Sequence, residues 1–172
     1  DGMVDGALQL VGVDDYVSID FVLNPADGAF SLLVWIKGGS AGQVIVSQLD
    51  GAGTGAMWLG ADALSGGLLT GLVPPSSGRF VPQSLVSDSV ITDGLWHQVG
   101  LVWDGSTRRL YVDGVEVAQD VQPFSPLKSS DGGLYIGAGK TLAPAGFFSG
   151  LVDDVRLYGV ALTAEEISAL VQ

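Results

Sequence analysis

The sequence predicts an all-β fold, two antiparallel sheets packed as a sandwich, with one short helix at the C-terminus. Short apolar runs recur about every 8 to 15 residues between clusters of Gly, Asp, Ser and Pro, the pattern of strands joined by turns. Only the segment from Thr163 onward leaves this pattern for a helical one. At 172 residues the chain suits one large β domain, residues 1–172, better than two small ones, and no linker divides it.

The strand runs follow in order, each bounded by turn-forming residues. ALQLV (7–11) and DYVSI (15–19) come first, then FSLLVWIK (30–37), QVIVSQL (43–49), AMWLGA (56–61) and GLLTGLV (67–73). Pro74, Pro75, Ser76, Ser77 and Gly78 mark a long surface loop, after which RFVP (79–82) and SVI (89–91) read as short strands. LWHQVGLVWD (95–104) alternates Leu95, His97, Val99, Leu101 and Trp103 against Trp96, Gln98, Gly100 and Val102. Both sides are partly apolar, as in an inner strand. RRLYV (108–112) and VEVAQ (115–119) flank Asp113-Gly114, a pair that favours a type I′ turn because both central residues need positive φ. Such a hairpin sets Val112 opposite Val115 and Leu110 opposite Val117. LYIGAG (134–139) and LVDDVRLY (151–158) complete the strands. Thr163 and Glu166 then form a capping box, and Ile167, Leu170 and Val171 give the helix one apolar stripe.

Charge narrows the partners. Three Lys and four Arg against sixteen Asp and three Glu leave a net charge of -12, which repels nucleic acid and anionic membrane surfaces. No stretch is long and apolar enough for a membrane-spanning helix. Cysteine is absent, so disulfides and thiolate metal sites are excluded. Abundant Asp with little Lys suits a secreted or cell-surface module. The opening residues DGMVDGALQL carry no signal-peptide pattern and no initiator Met, and the chain is read as part of a larger, processed protein with neighbouring domains.

The segments DGLWHQVGLVWDG (93–105), YVDGVEV (111–117), LYIGAG (134–139) and GLVDDVRLYGVALTAEEI (150–167), preceded by ALQLVGVDDYVSI (7–19) and FSLLVWIKG (30–38), resemble bacterial laminin-G-like domains of the concanavalin A-like lectin and glucanase type. The resemblance covers nearly the whole chain, except residues 50 to 90. It implies a jelly roll of two curved sheets, often with one structural calcium near the termini, and frequently sugar binding. Relatives often begin with an Asp-rich Gly-Asn-Gly segment, of which only Asp1, Gly2, Asp5 and Gly6 remain here.

Calcium takes six to eight oxygen ligands, so a few carboxylates plus carbonyls and water make a shell. Asp14 and Asp15 lie at a strand entry, and Asp153 and Asp154 in the final strand; adjacent strand residues point to opposite faces, so one of each pair serves a given ion. The resemblance favours Asp153, with Asp14 as the second metal candidate. Asp154 can instead pair with Arg156. His97, the only histidine, reads as a hydrogen-bonded core residue rather than a catalytic one. Trp35, Trp96 and Trp103 read as core packing. Trp58, outside the matched motifs, and Phe80 are the candidate sugar-stacking platforms, with Arg79 as a planar donor; the plainer alternatives are core packing for Trp58 and a strand start for the other two.

Catalysis is not expected. Retaining glucanases of this type resemble one another in an E-x-D-x-E or E-x-D-x-x-E strand, because two carboxyls must face the scissile bond, and no such strand occurs. The motifs of jelly-roll polysaccharide lyases are missing too. The expected role is a noncatalytic carbohydrate-binding module whose partner is a neutral or weakly acidic polysaccharide. A structural or adhesion domain that contacts protein, or spaces its neighbours, is the second reading.

Overall fold

A computed structural model describes residues 6–49, 55–76, 81–122 and 126–171. The strands are β1 (Leu8–Val11), β2 (Val17–Ile19), β3 (Phe30–Gly38), β4 (Val44–Gln48), β5 (Ala56–Ala61) and β6 (Gly67–Thr70). They continue as β7 (Leu85–Val90), β8 (Trp96–Trp103), β9 (Thr107–Val112), β10 (Val115–Val121), β11 (Leu134–Ile136) and β12 (Ser149–Tyr158), and α1 (Ala164–Ala169) follows. They build two six-stranded sheets, β1-β12-β3-β8-β9-β10 and β2-β11-β4-β5-β6-β7, and every pairing is antiparallel. The jelly-roll sandwich expected from the sequence is the fold observed.

The core lies between the sheets. Val34 and Ile36 of β3 and Val99, Leu101 and Trp103 of β8 point inward from the first sheet, meeting Val46, Trp58 and Leu68 from the second. The outer face of the first sheet has its own cover. Leu33, Val102 and Tyr111 point outward and pack under Ile167 of α1, which is 0% exposed. The cap expected at Thr163 forms: the Glu166 N–H donates to Thr163 Oγ1 (3.2 Å) and the Thr163 N–H to Glu166 Oε2 (2.8 Å). Gly114 is required below it, because a Cβ there would come within 2.9 Å of Val171 and 3.2 Å of the Ser168 Cα. Gln98 fastens the far end of the helix, its amide donating to the Leu170 carbonyl at 2.8 Å.

Two local readings change. Asp113 and Gly114 both have positive φ, at 52° and 78°, and Val115 pairs with Val112. A β-bulge then shifts the register, so Leu110 faces Ala118 rather than Val117. The strand expected over 89–91 is longer and starts earlier, at Leu85, while of the strand expected over 79–82 residues 79 and 80 lie outside the described residues and residues 81 and 82 are not in a strand. Alternating polar residues in LVSDSV suit β7 to its place as a sheet edge.

His97 is hydrogen-bonded as expected, but at the rim of the sandwich rather than in its core. Its Nδ1 lies 2.8 Å from Asp113 Oδ2 and its Nε2 3.2 Å from Asp93 Oδ1. Burial opposes the charged ring, but the hydrogen bonds and charges of Asp113 and Asp93 outweigh it, and the imidazole pKa is raised above 6.5. A neutral ring would turn one lone pair toward a carboxylate, whereas the imidazolium satisfies both. The stabilisation is therefore complete below pH 6.5 and is lost as pH rises through the higher folded value. Melting temperature is expected to fall across that interval, and His97→Gln to remove this component; an unchanged pH profile in the variant would contradict the assignment.

Candidate functional site

Strand alternation creates an aromatic surface outside the core. Because Val34 and Ile36 point inward, Leu33, Trp35 and Lys37 of β3 point outward, and the parity that buries Val99, Leu101 and Trp103 turns Trp96 and Gln98 out. Register then aligns the neighbours. Gln9, Leu151, Lys37 and Trp96 form one row across β1, β12, β3 and β8, and Asp153, Trp35 and Gln98 form the next. Trp35 and Trp96 are thus diagonal neighbours, about 7–8 Å apart at Cα. The end of α1 is fastened to this face by the Gln98–Leu170 bond, and both tryptophans are half-buried while Gln9 and Lys37 are exposed.

Two indoles on a sheet face offer apolar ring surface with polar edges, and Lys37, Gln9 and Asp153 place donors and acceptors around them. That combination suits a sugar, whose C–H face stacks while its hydroxyls hydrogen-bond. The expectation that Trp35, Trp96 and Trp103 all pack in the core is corrected for the first two; of these three, Trp103, 1% exposed, does so. The two-residue alternation in both strands already carried the signal.

Trp58 is corrected in the opposite direction. It is 0% exposed, its ring centroid lies 4.9 Å from that of Phe30, and its Nε1–H donates to Gln48 Oε1 at 3.2 Å. No pyranose can reach it. Its partner Gln48 is itself held by the Leu23 and Gly132 carbonyls, at 2.8 and 3.0 Å, so Trp58 belongs to a satisfied internal network. Arg79 and Phe80 lie outside the described residues.

The metal candidates do not converge. Val11 pairs with Ser149 and Leu8 with Val152, so Asp14 follows β1 at one end of its pairing while Asp153 sits just past the other. Ser149, at the Asp14 end, and Asp153 are four residues apart along β12, about 13 Å, whereas oxygens on one calcium lie roughly 2.3–2.6 Å from it. The Asp153 pair has a structural task. Between Asp153, opposite Trp35, and Arg156, opposite Leu33, the strand bulges, with Asp154 at a φ of 49°. Asp153 Oδ1 accepts the Asp154 N–H at 2.8 Å, and the Asp154 carboxylate is bound by Arg156, the pairing anticipated from the sequence. Asp14 is exposed; its neighbour Asp15 accepts the Val11 N–H at 3.1 Å and closes the turn. Among the described residues no three His, Cys, Asp or Glu side chains are arranged to hold a metal ion together, so this donor set does not fit a calcium centre shared by Asp14 and Asp153. Asp1 and Asp5 lie outside the described residues.

The glutamates are engaged structurally. Glu116 accepts from the Tyr111 hydroxyl at 3.2 Å and faces Arg109, Glu166 closes the helix cap, and Glu165 stands in the first turn of α1, where a negative charge is favourable. No helix among the described residues is long and apolar enough to cross a membrane.

Comparison with known proteins agrees with this architecture. The family described as the concanavalin A-like lectin/glucanases superfamily matches residues 11–168. No curated protein matches the chain. Among solved structures, the binding domain of Paraclostridial Mosquitocidal Protein 1 superposes with a TM-score of 0.71 at 15% identity, over 98% of this chain and 44% of that one. Domain 4 of AbnA, a GH43 extracellular arabinanase from Geobacillus stearothermophilus in complex with arabinotriose, gives 0.58 at 18% identity, over 96% of this chain and 76% of that one. The botulinum neurotoxin serotype G binding domain gives 0.64 at 14% identity, over 96% and 46%. The chain thus spans less than half the length of the first of these, and at such identities the likeness is one of fold.

Proposed function

The chain belongs to the concanavalin A-like lectin/glucanase superfamily, and on that footing we propose that it is a noncatalytic carbohydrate-binding module of a secreted or cell-surface protein. The observation that carries the proposal is the outward pair Trp35 and Trp96, each partly exposed and edged by Gln9, Lys37 and Asp153. Support comes from the likeness to an arabinanase domain whose structure is in complex with arabinotriose and to two toxin binding domains. A net charge of -12 disfavours densely anionic polymers, so the polysaccharide for this platform is neutral.

Affinity electrophoresis through gels containing neutral arabinans, xylans, mannans or glucans tests it. Wild-type protein is expected to be retarded in at least one gel, and Trp35→Ala and Trp96→Ala each to weaken that affinity about tenfold, the equivalent of roughly 1.4 kcal/mol. Retardation unchanged in both variants would remove the platform.

One observation favours the adhesion reading. Exposed apolar side chains gather in the N-terminal segment, with Val11, Val13, Phe21 and Val22 at 58%, 66%, 53% and 46%, and β1 and β2 are sheet edges. Such a strip suits contact with protein. A chain that binds no glycan in any gel belongs to this second class.

A further inference from the structure

An apolar corner stands open to solvent where β2 ends. Leu23 packs against the core and its carbonyl accepts the Gln48 amide at 2.8 Å, while Ile19, Phe21 and Val22 just before it stay outside, 41%, 53% and 46% exposed. Phe21 is the most exposed aromatic side chain among the described residues. The chain then turns at Asn24. The Asp27 N–H donates to the Asn24 carbonyl at 3.0 Å, and Asn24 Nδ2 donates to Asp27 Oδ1 at 3.1 Å. Asn24 Oδ1 in turn accepts the Ala26 and Ser130 N–H groups at 3.1 and 3.0 Å, which fixes the turn to the body of the fold. A cavity of about 350 Å³ opens here, lined by Phe21, Val22, Asn24, Asp27 and, from just beyond β12, Gly159. Val160, next to Gly159, is exposed as well.

Charge decides what can cover this corner. Residues 1–36 hold six aspartates, Asp1, Asp5, Asp14, Asp15, Asp20 and Asp27, and no lysine or arginine. Asp20 and Asp27 are exposed and bracket Phe21 and Val22 in the chain, and no basic residue is among those lining the cavity. A second copy of this chain would bring like charge against like, and an acidic polymer would be repelled, whereas a cationic group is drawn in. The aromatic ring and the branched side chains of Ile19, Val22 and Val160 add a second requirement, because they gain from apolar contact rather than from hydroxyls. A protein chain supplies both. β2 is also a sheet edge, along which an extended segment can lie.

We infer that this corner docks a protein partner through a short apolar segment carrying one arginine or lysine. The cation enters the cavity beside the Asp27 carboxylate and against the Phe21 ring, and its apolar neighbours lie on Ile19 and Val22. The site rests on the protein-contact reading of the N-terminal segment and not on glycan binding at the tryptophan face.

A short capped peptide of alternating valine and threonine with arginine at its centre is the probe. In isotope-labelled protein it is expected to shift the amide resonances of Phe21, Val22, Asp27 and Gly28 together and saturably, and the same peptide with glutamine in place of arginine to bind about tenfold more weakly. Asp27→Asn is expected to weaken the arginine peptide about tenfold and Phe21→Ala about threefold, while both variants melt as wild type because both side chains are exposed. An equal response to the glutamine peptide, or an undiminished response in Asp27→Asn, would overturn the selection for a basic residue while leaving protein contact in place. No shift at these residues with either peptide would overturn the docking site altogether. An equal response to glucosamine oligomers, which carry the positive charge without apolar side chains, would overturn the choice of a protein partner. Gel retardation by neutral polysaccharide is expected to be unchanged in Asp27→Asn, so failure of this site is distinguishable from failure of the tryptophan platform.

Discussion

Arg108→Ala is expected to destabilise the protein by about 3–5 kcal/mol, the usual cost of breaking a buried charged network. Arg108 lies on β9, where the parity of Leu110 turns it inward, and it is 1% exposed. Its Nη1 donates to the Leu72 carbonyl at 2.6 Å and its Nη2 to the Gln83 carbonyl at 3.0 Å, both in segments flanking the second sheet. Nε and Nη2 also bind the two oxygens of Asp120 on β10, with the Nε contact at 2.9 Å. One guanidinium thus ties both sheets together and satisfies the buried Leu72 carbonyl as well as that of Gln83, leaving the former without its partner once the side chain is gone. Arg108→Lys keeps the charge but not the planar fork, so it is expected to recover only part of the loss. Chemical denaturation checks this: a variant within about 1 kcal/mol of wild type would show that the staple is dispensable.

Trp58→Ala is expected to cost a similar amount, about 3–5 kcal/mol, through the cavity it leaves between Phe30 and the strand floor. It also strands Gln48 Oε1, which accepts the indole N–H. The variant is therefore expected to melt far below wild type, and any fraction that folds to bind neutral glycan as before. Loss of binding with full stability would return Trp58 to the ligand site.

The different fates of the tryptophans show what was legible in the chain. Strand existence, the Asp113-Gly114 turn, the helix cap and the two-sheet architecture depend on local periodicity and turn chemistry, and these were readable. The outward placement of Trp35 and Trp96 is equally encoded, in strict alternation with Val34, Ile36, Val99 and Leu101, whereas the resemblance to family core positions points the other way. Trp58 was different. AMWLGA is apolar on both sides, so periodicity could not say which face Trp58 takes; its burial is set by Phe30 and Gln48, distant in sequence. The bulge at Asp153–Arg156 and the slip at Val117 are likewise decided by pairing between strands rather than within one.

The indole N–H resonances of Trp35, Trp58, Trp96 and Trp103 test the glycan platform most directly, because each tryptophan has a distinct environment: two half-buried on an outer face and two closed in the core. During titration with arabinotriose and with neutral xylo-, manno- and gluco-oligosaccharides, Trp35 and Trp96 are expected to shift together and saturably with at least one of them. Trp58 and Trp103 are expected to stay in place, and Trp35→Ala to suppress the Trp96 response. Binding that leaves Trp35 and Trp96 unmoved, or no response to any of these sugars, would contradict the assignment of this face to carbohydrate.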